Sequence, residues 1–148
     1  MNAAVAPATL TVRRTIAAPA EELFDAWLDP VALAAWMMPD GTRRTTASVQ
    51  PRVGGRYEIL MQVEDRVVPH TGEYRVIDRP HQLVFTWFSP YTGGCATLVT
   101  VDFVSTGGKT EVVLTHEQLP EASRPGHGRG WASGLEKLEQ YFGSGKGG

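Results

Sequence analysis

The side chains able to do chemistry are few, and the pattern around each one limits its use. His116 closes the run Val112-Val113-Leu114-Thr115-His116, and by alternation it shares a face with Val112 and Leu114, so its ring points to the apolar side. A neutral imidazole in that place orients a ligand hydroxyl or acts as an acid or base near neutral pH. The competing reading is a core-edge histidine whose nitrogens are satisfied by nearby groups. Tyr57 and Tyr74 put phenols on apolar faces, where each needs a partner from the protein, a water or a ligand. Trp87 and Trp131 offer indole faces to a planar molecule or packing mass to a core, and the two roles are compatible.

Other combinations carry less. Glu58 and Glu73 fall opposite Tyr57 and Tyr74 by alternation, towards solvent, which argues against a paired-carboxylate mechanism. Gly107-Gly108-Lys109-Thr110 has the letters of a phosphate loop, yet Phe103 stands where its first glycine belongs and a strand follows, so a hairpin turn is expected. His70, His81, His116 and His127 lack the short spacings of zinc ligands and have no cysteine pair to assist, so no metal and no cofactor is expected. Cys95 has no neighbouring histidine to activate it. Arg13, Arg14, Arg43, Arg44, Arg52 and Arg56 suit solvated strand faces, and no row of exposed aromatics accompanies them to stack bases.

The hydrophobic period places the elements that hold these groups. Thr9 to Ile16 alternates like a half-buried strand. Pro19 suits a first helical turn, with Glu21 and Glu22 at the positive helix end, and Phe24, Trp27, Leu28 and Val31 follow an i, i+3, i+4, i+7 stripe. Asp29-Pro30 interrupts with a new cap and proline, which predicts two short helices, the second ending near Trp36 before Pro39-Asp40-Gly41. From Thr42 to Glu117 the period is mostly two. Turn clusters at 53–55, 64–65, 78–80, 91–94 and 105–108 predict an antiparallel meander with one richly apolar face. After Pro120 the period turns helical again, with Trp131, Leu135, Leu138 and Phe142 on one stripe.

The expected fold class is α+β: a curved antiparallel sheet of about seven strands wrapped around a long C-terminal helix, with two short helices after the first strand. One domain is expected over residues 9–142, between a flexible start at 1–8 and a flexible glycine-rich tail at 143–148. The chain has 148 residues, 42% of them hydrophobic and 20% charged, and a net charge of −2, enough to bury a core and too neutral for general nucleic-acid or polybasic membrane binding. No run is long enough for a membrane span, and a single cysteine forms no internal disulfide, so a soluble cytoplasmic protein is expected.

Several segments, in their order and spacing, carry a family resemblance. They are Ile16-Ala17-Ala18-Pro19-Ala20-Glu21-Glu22-Leu23-Phe24-Asp25-Ala26-Trp27, Trp36 followed by Pro39, Gly54-Gly55-Arg56-Tyr57, Gly72-Glu73-Tyr74, Leu83-Val84-Phe85-Thr86-Trp87, the strand ending at His116, and Gly130-Trp131 opening the last helix. From about Leu10 to Phe142 the chain resembles the START-like, or SRPBCC, superfamily with its helix-grip fold, in particular the branch named after the ATPase activator of heat-shock protein 90. The resemblance implies a hydrophobic cavity between sheet and last helix, used across the superfamily for lipids, polyketides, hormones and other apolar molecules.

The residues expected to line such a cavity are Trp36, Tyr57, Ile59, Met61, Tyr74, Phe85, Trp87, Val101, Phe103, Leu114, His116, Trp131 and Leu135. Three functions follow in order: binding of an apolar or aromatic small molecule; a cyclase, hydrolase or isomerase using His116; and a protein-interaction module with a chaperone partner. Either a monomer or a homodimer fits all three.

Overall fold

The computed structural model describes residues 8–143, so the expectations for the first seven and last five residues lie outside it. Seven strands form one antiparallel sheet: β1 (Ala8–Ile16), β2 (Arg44–Val49), β3 (Arg56–Val63), β4 (Arg66–Asp78), β5 (Gln82–Trp87), β6 (Thr97–Thr106) and β7 (Lys109–Leu119). Their order is β1-β7-β6-β5-β4-β3-β2, so the meander runs in sequence and β1 returns to the far edge beside β7. The sheet curves without closing, as expected of the α+β helix-grip class. Every strand boundary falls at a glycine, proline or acidic turn cluster, because those residues supply the backbone angles of a reversal: Gly107 and Gly108 take positive φ between β6 and β7, and Glu64 does so between β3 and β4.

Helices α1 (Ala20–Asp25) and α2 (Pro30–Trp36) follow β1. Pro19 sits at the N-cap of α1 rather than within its first turn. Asp29 caps α2 by accepting from the Val31 backbone N–H at 3.0 Å, while Pro30 fills the first helical position, where a missing N–H costs nothing. That break also overturns one expectation. Val31 does not continue the buried stripe of Phe24 and Trp27 but is 77% exposed, because α2 starts a new helical phase that turns Ala32, Leu33 and Trp36 inward. Trp36 is fully buried, its indole N–H donating to Ala26 O at 2.9 Å.

The long helix α3 (Arg124–Gly143) follows a 3-10 turn at Glu121–Ser123. It begins six residues before Gly130, where the resemblance had it open, and soon after Pro120, where the period turns helical. Glycine is among the weakest helix formers, yet with Pro125 in the first turn the helix runs through Gly126, Gly128 and Gly130. Trp131, Leu135 and Leu138 face the sheet. Arg14 on β1 meets Glu139 on α3 at 2.7 Å, and the Asp40 backbone N–H donates to Ser133 Oγ at 2.8 Å, so the helix is tied both to the sheet edge and to the loop after α2.

Candidate functional site

Along the middle of α3 the space between helix and sheet is filled by rings. Trp131 lies against Trp87 with centroids 4.9 Å apart and stacks near Trp27 at 6.2 Å; Phe85, Tyr57 and Phe103 continue the cluster across the sheet. Such contacts bury large apolar areas and fix ring geometry. Room opens instead at the N-terminal end of α3, where a partly open cavity of about 700 Å³ is roofed by residues 122–131. Its floor is Met61, Val63, Val68, His70 and Trp87; one wall is the loop after α2, from Met37 to Thr42, and the other the loop after β5, with Pro90, Tyr91 and Gly93. Ser123 Oγ donates to Tyr91 O at 2.7 Å and joins roof to wall.

The residues expected from sequence to line a cavity divide accordingly. Met61, Trp87 and Trp131 border this one. Tyr57, Ile59, Tyr74 and Phe85 instead border, with Trp87, a second void of about 10 Å³, room for no more than a single water. Trp36, Val101, Phe103, Leu114, His116 and Leu135 face inward but border neither, lying in the packed core. The phenol of Tyr57 donates to Thr86 O at 2.6 Å, and burial pushes the pKa of both Tyr57 and Tyr74 well above the ordinary phenol value, so both stay protonated. The indole N–H groups of Trp27 and Trp87 are buried with no acceptor among the described residues, and both side chains border the small void.

His116 is fully buried and both its nitrogens are engaged. The Trp131 indole N–H, which can only donate, reaches His116 Nδ1 at 2.9 Å. Thr97 Oγ1 donates its single proton to Trp87 O at 2.7 Å and therefore accepts from His116 Nε2–H, also at 2.7 Å. The tautomer follows from this chain of donors: Trp131 to His116 to Thr97 to the backbone of β5. Burial, with the His127 ring nearby, holds the His116 pKa down to about 3. A ring so committed positions Trp131; it does not exchange protons near neutral pH.

Two other histidines stand at the cavity itself, and alternation and spacing passed over both. His70 lies on the floor, its ring 4.9 Å from Trp87, with Nδ1–H donating to Ile59 O at 3.3 Å; burial lowers its pKa to about 4, so it too is neutral. His127 is half-buried in the roof, one turn before Trp131, and its ring meets His116 edge to face at 5.1 Å. Its Nδ1–H donates to Ser123 O at 2.8 Å, and Nε2 has no hydrogen-bond partner among the described residues. At the rim, Asp40 is held below the usual carboxylate range by the hydrogen bond and charge of Lys137, 2.9 Å away. Among the described residues no three histidine, cysteine or acidic side chains come together as a metal site.

No curated protein matches the chain significantly. Solved structures do. A protein from Rhodobacter sphaeroides superposes with a TM-score of 0.79 at 25% identity, over 92% of this chain and 93% of its own. One from Chromobacterium violaceum reaches 0.79 at 24%, over 90% and 96%, and shows the shared fold. A structure described as an HSP90 activator from Plasmodium falciparum gives 0.74 at 25%, over 91% and 96%. A family model described as Activator of Hsp90 ATPase homolog 1-like protein matches residues 17–143.

Proposed function

The chain belongs to the Activator of Hsp90 ATPase homolog 1-like family, and from that premise we propose that it is a cytoplasmic protein that binds an apolar or aromatic small molecule in the cavity under the first half of α3. The observation that carries this reading is the cavity itself: about 700 Å³, within the range of small-molecule sites, with Met61, Val68, Trp87 and Trp131 as an apolar bed and a few polar groups at its edge. A core that needed only to be stable would close this space, since protein interiors pack to near-crystalline density. The His116 network supports binding over acid–base catalysis by that ring, because both nitrogens are spent on holding Trp131 in place.

The test is a thermal-shift screen of fatty acids, sterols, flavonoids and polyketides, joined to native mass spectrometry of freshly purified protein. A ligand that binds only the folded form raises the melting temperature. Replacing Val63 on the cavity floor by Trp is expected to abolish the shift while leaving the fold intact. A flat screen with no bound mass counts against the reading.

A second reading, activation of a chaperone ATPase, is supported by the family match and by the likeness to the structure described as an HSP90 activator. It predicts that the purified chain raises the ATPase rate of heat-shock protein 90. An unchanged rate and no co-elution would remove it.

A further inference from the structure

We propose that His127 is the polar recognition residue of the cavity, and that the bound molecule is a hydroxylated aromatic that donates its O–H to His127 Nε2 while its rings lie against Trp131 and Trp87. The inference rests on the ligand-binding reading above and gives the ligand a chemical class. Three observations carry it. His127 lines the cavity from its roof. Its Nδ1–H is fixed on Ser123 O at 2.8 Å, which leaves the lone pair on Nε2, and that nitrogen has no partner among the described residues. It stands four residues before Trp131 on the same helix face, so the acceptor lies one turn from the indole wall that Trp131 forms with Trp87.

The surroundings favour an uncharged hydroxyl over an anion at this point. The groups facing His127 are the rings of His116 and His70, both neutral, and the indole of Trp131, whose N–H is already given to His116. Of the charged groups at the rim, Asp40 is paired with Lys137 and Arg129 is exposed to solvent. An acceptor nitrogen in a largely apolar cavity selects for a donor, because a ligand lacking one leaves the nitrogen dehydrated and unpaired.

Equilibrium dialysis of the full chain against naphthalene, 2-methoxynaphthalene and 2-naphthol tests this directly. Hydrophobicity alone ranks naphthol last. The expected result is that naphthol binds about five- to tenfold more tightly than the other two, in line with one hydrogen bond, and that His127→Phe removes the difference while retaining naphthalene. Should that variant fold poorly, the comparison of naphthol with its methyl ether on the unaltered protein still decides. Equal binding of naphthol and the ether, or a preference that survives in His127→Phe, overturns the role of His127 and leaves ligand binding standing. Binding of none of the three overturns the hydroxylated-aromatic proposal, and the wider thermal-shift screen with native mass spectrometry then decides the ligand-binding reading by itself.

Discussion

The indole N–H of Trp131 ends on Nδ1 of His116, 2.9 Å away, and so ties the middle of α3 to the last strand of the sheet. Trp131→Phe keeps most of the ring and deletes the donor. It leaves a fully buried nitrogen without a partner, which costs about 1–3 kcal/mol. The expected outcome is a lower urea midpoint with an unchanged slope, since the surface exposed on unfolding is the same.

The buried histidines set the pH response. His116 and His70 are held at about 3 and about 4, against 6.5 in an unfolded chain, chiefly by burial. The unfolded chain therefore takes up protons first as pH falls. Stability is complete above about pH 6.5 and declines below it, by about 1.4 kcal/mol per pH unit for each ring. Urea midpoints at pH 7.5, 6.0 and 5.0 should fall in that order, and His70→Phe should make the decline shallower. Equal midpoints at pH 7.5 and 5.0 would contradict the burial of these rings.

Two glycines are expected to respond in opposite directions. A Cβ at Gly72 would fall on Thr86 O and within 2.6 Å of the Tyr57 ring, neither of which has room to retreat. Gly72→Ala should cost about 3 kcal/mol or more and remove the cooperative melt. A Cβ at Gly130 meets nothing within 4 Å, in the middle of a helix. Gly130→Ala should stabilise by about 0.5–1 kcal/mol, seen as a raised melting temperature.

Asp29 decides where α2 begins. Asp29→Ala deletes the side-chain acceptor for the Val31 N–H and should cost about 1 kcal/mol. The near-ultraviolet signal of Trp36, which α2 carries into the core, is the local readout; an unaltered signal and midpoint would show the cap to be idle.

Turn chemistry made the sheet legible. Gly54-Gly55, Glu64-Asp65, Gly93-Gly94 and Gly107-Gly108 each fall between strands in the structure, and alternation put Val112, Leu114 and His116 on the buried face they occupy. The first turns of α3 left a weaker mark than the stripe from Trp131 to Phe142, because glycine suppresses the very propensity by which a helix is recognised. The site was less legible for a different reason. Alternation tells which side of a strand faces inward, but Leu114 and Met61 both face inward and only Met61 meets open space. That distinction depends on the distance between helix and sheet at each point along α3. Where Trp131 meets Trp87 the gap is filled, and one turn earlier it is not. His127 sits in that turn, one turn before the apolar stripe begins at Trp131, and as a polar residue it was no part of the stripe that marked the helix.

The glycines at 126, 128 and 130 also bear on how the molecule opens. Each gives up helix propensity of about 1 kcal/mol relative to alanine, and together they concentrate that loss in the two turns that roof the cavity. The remainder of α3 is pinned by Leu135, Leu138 and the Arg14–Glu139 pair. Amide protons in the roof should therefore exchange with solvent well before those at 135–139, through brief unwinding of one helix end while the sheet stays folded. The release rate of a bound molecule would then be governed by how often that end unwinds, and occupancy of the cavity would be recorded as slowed exchange in the roof.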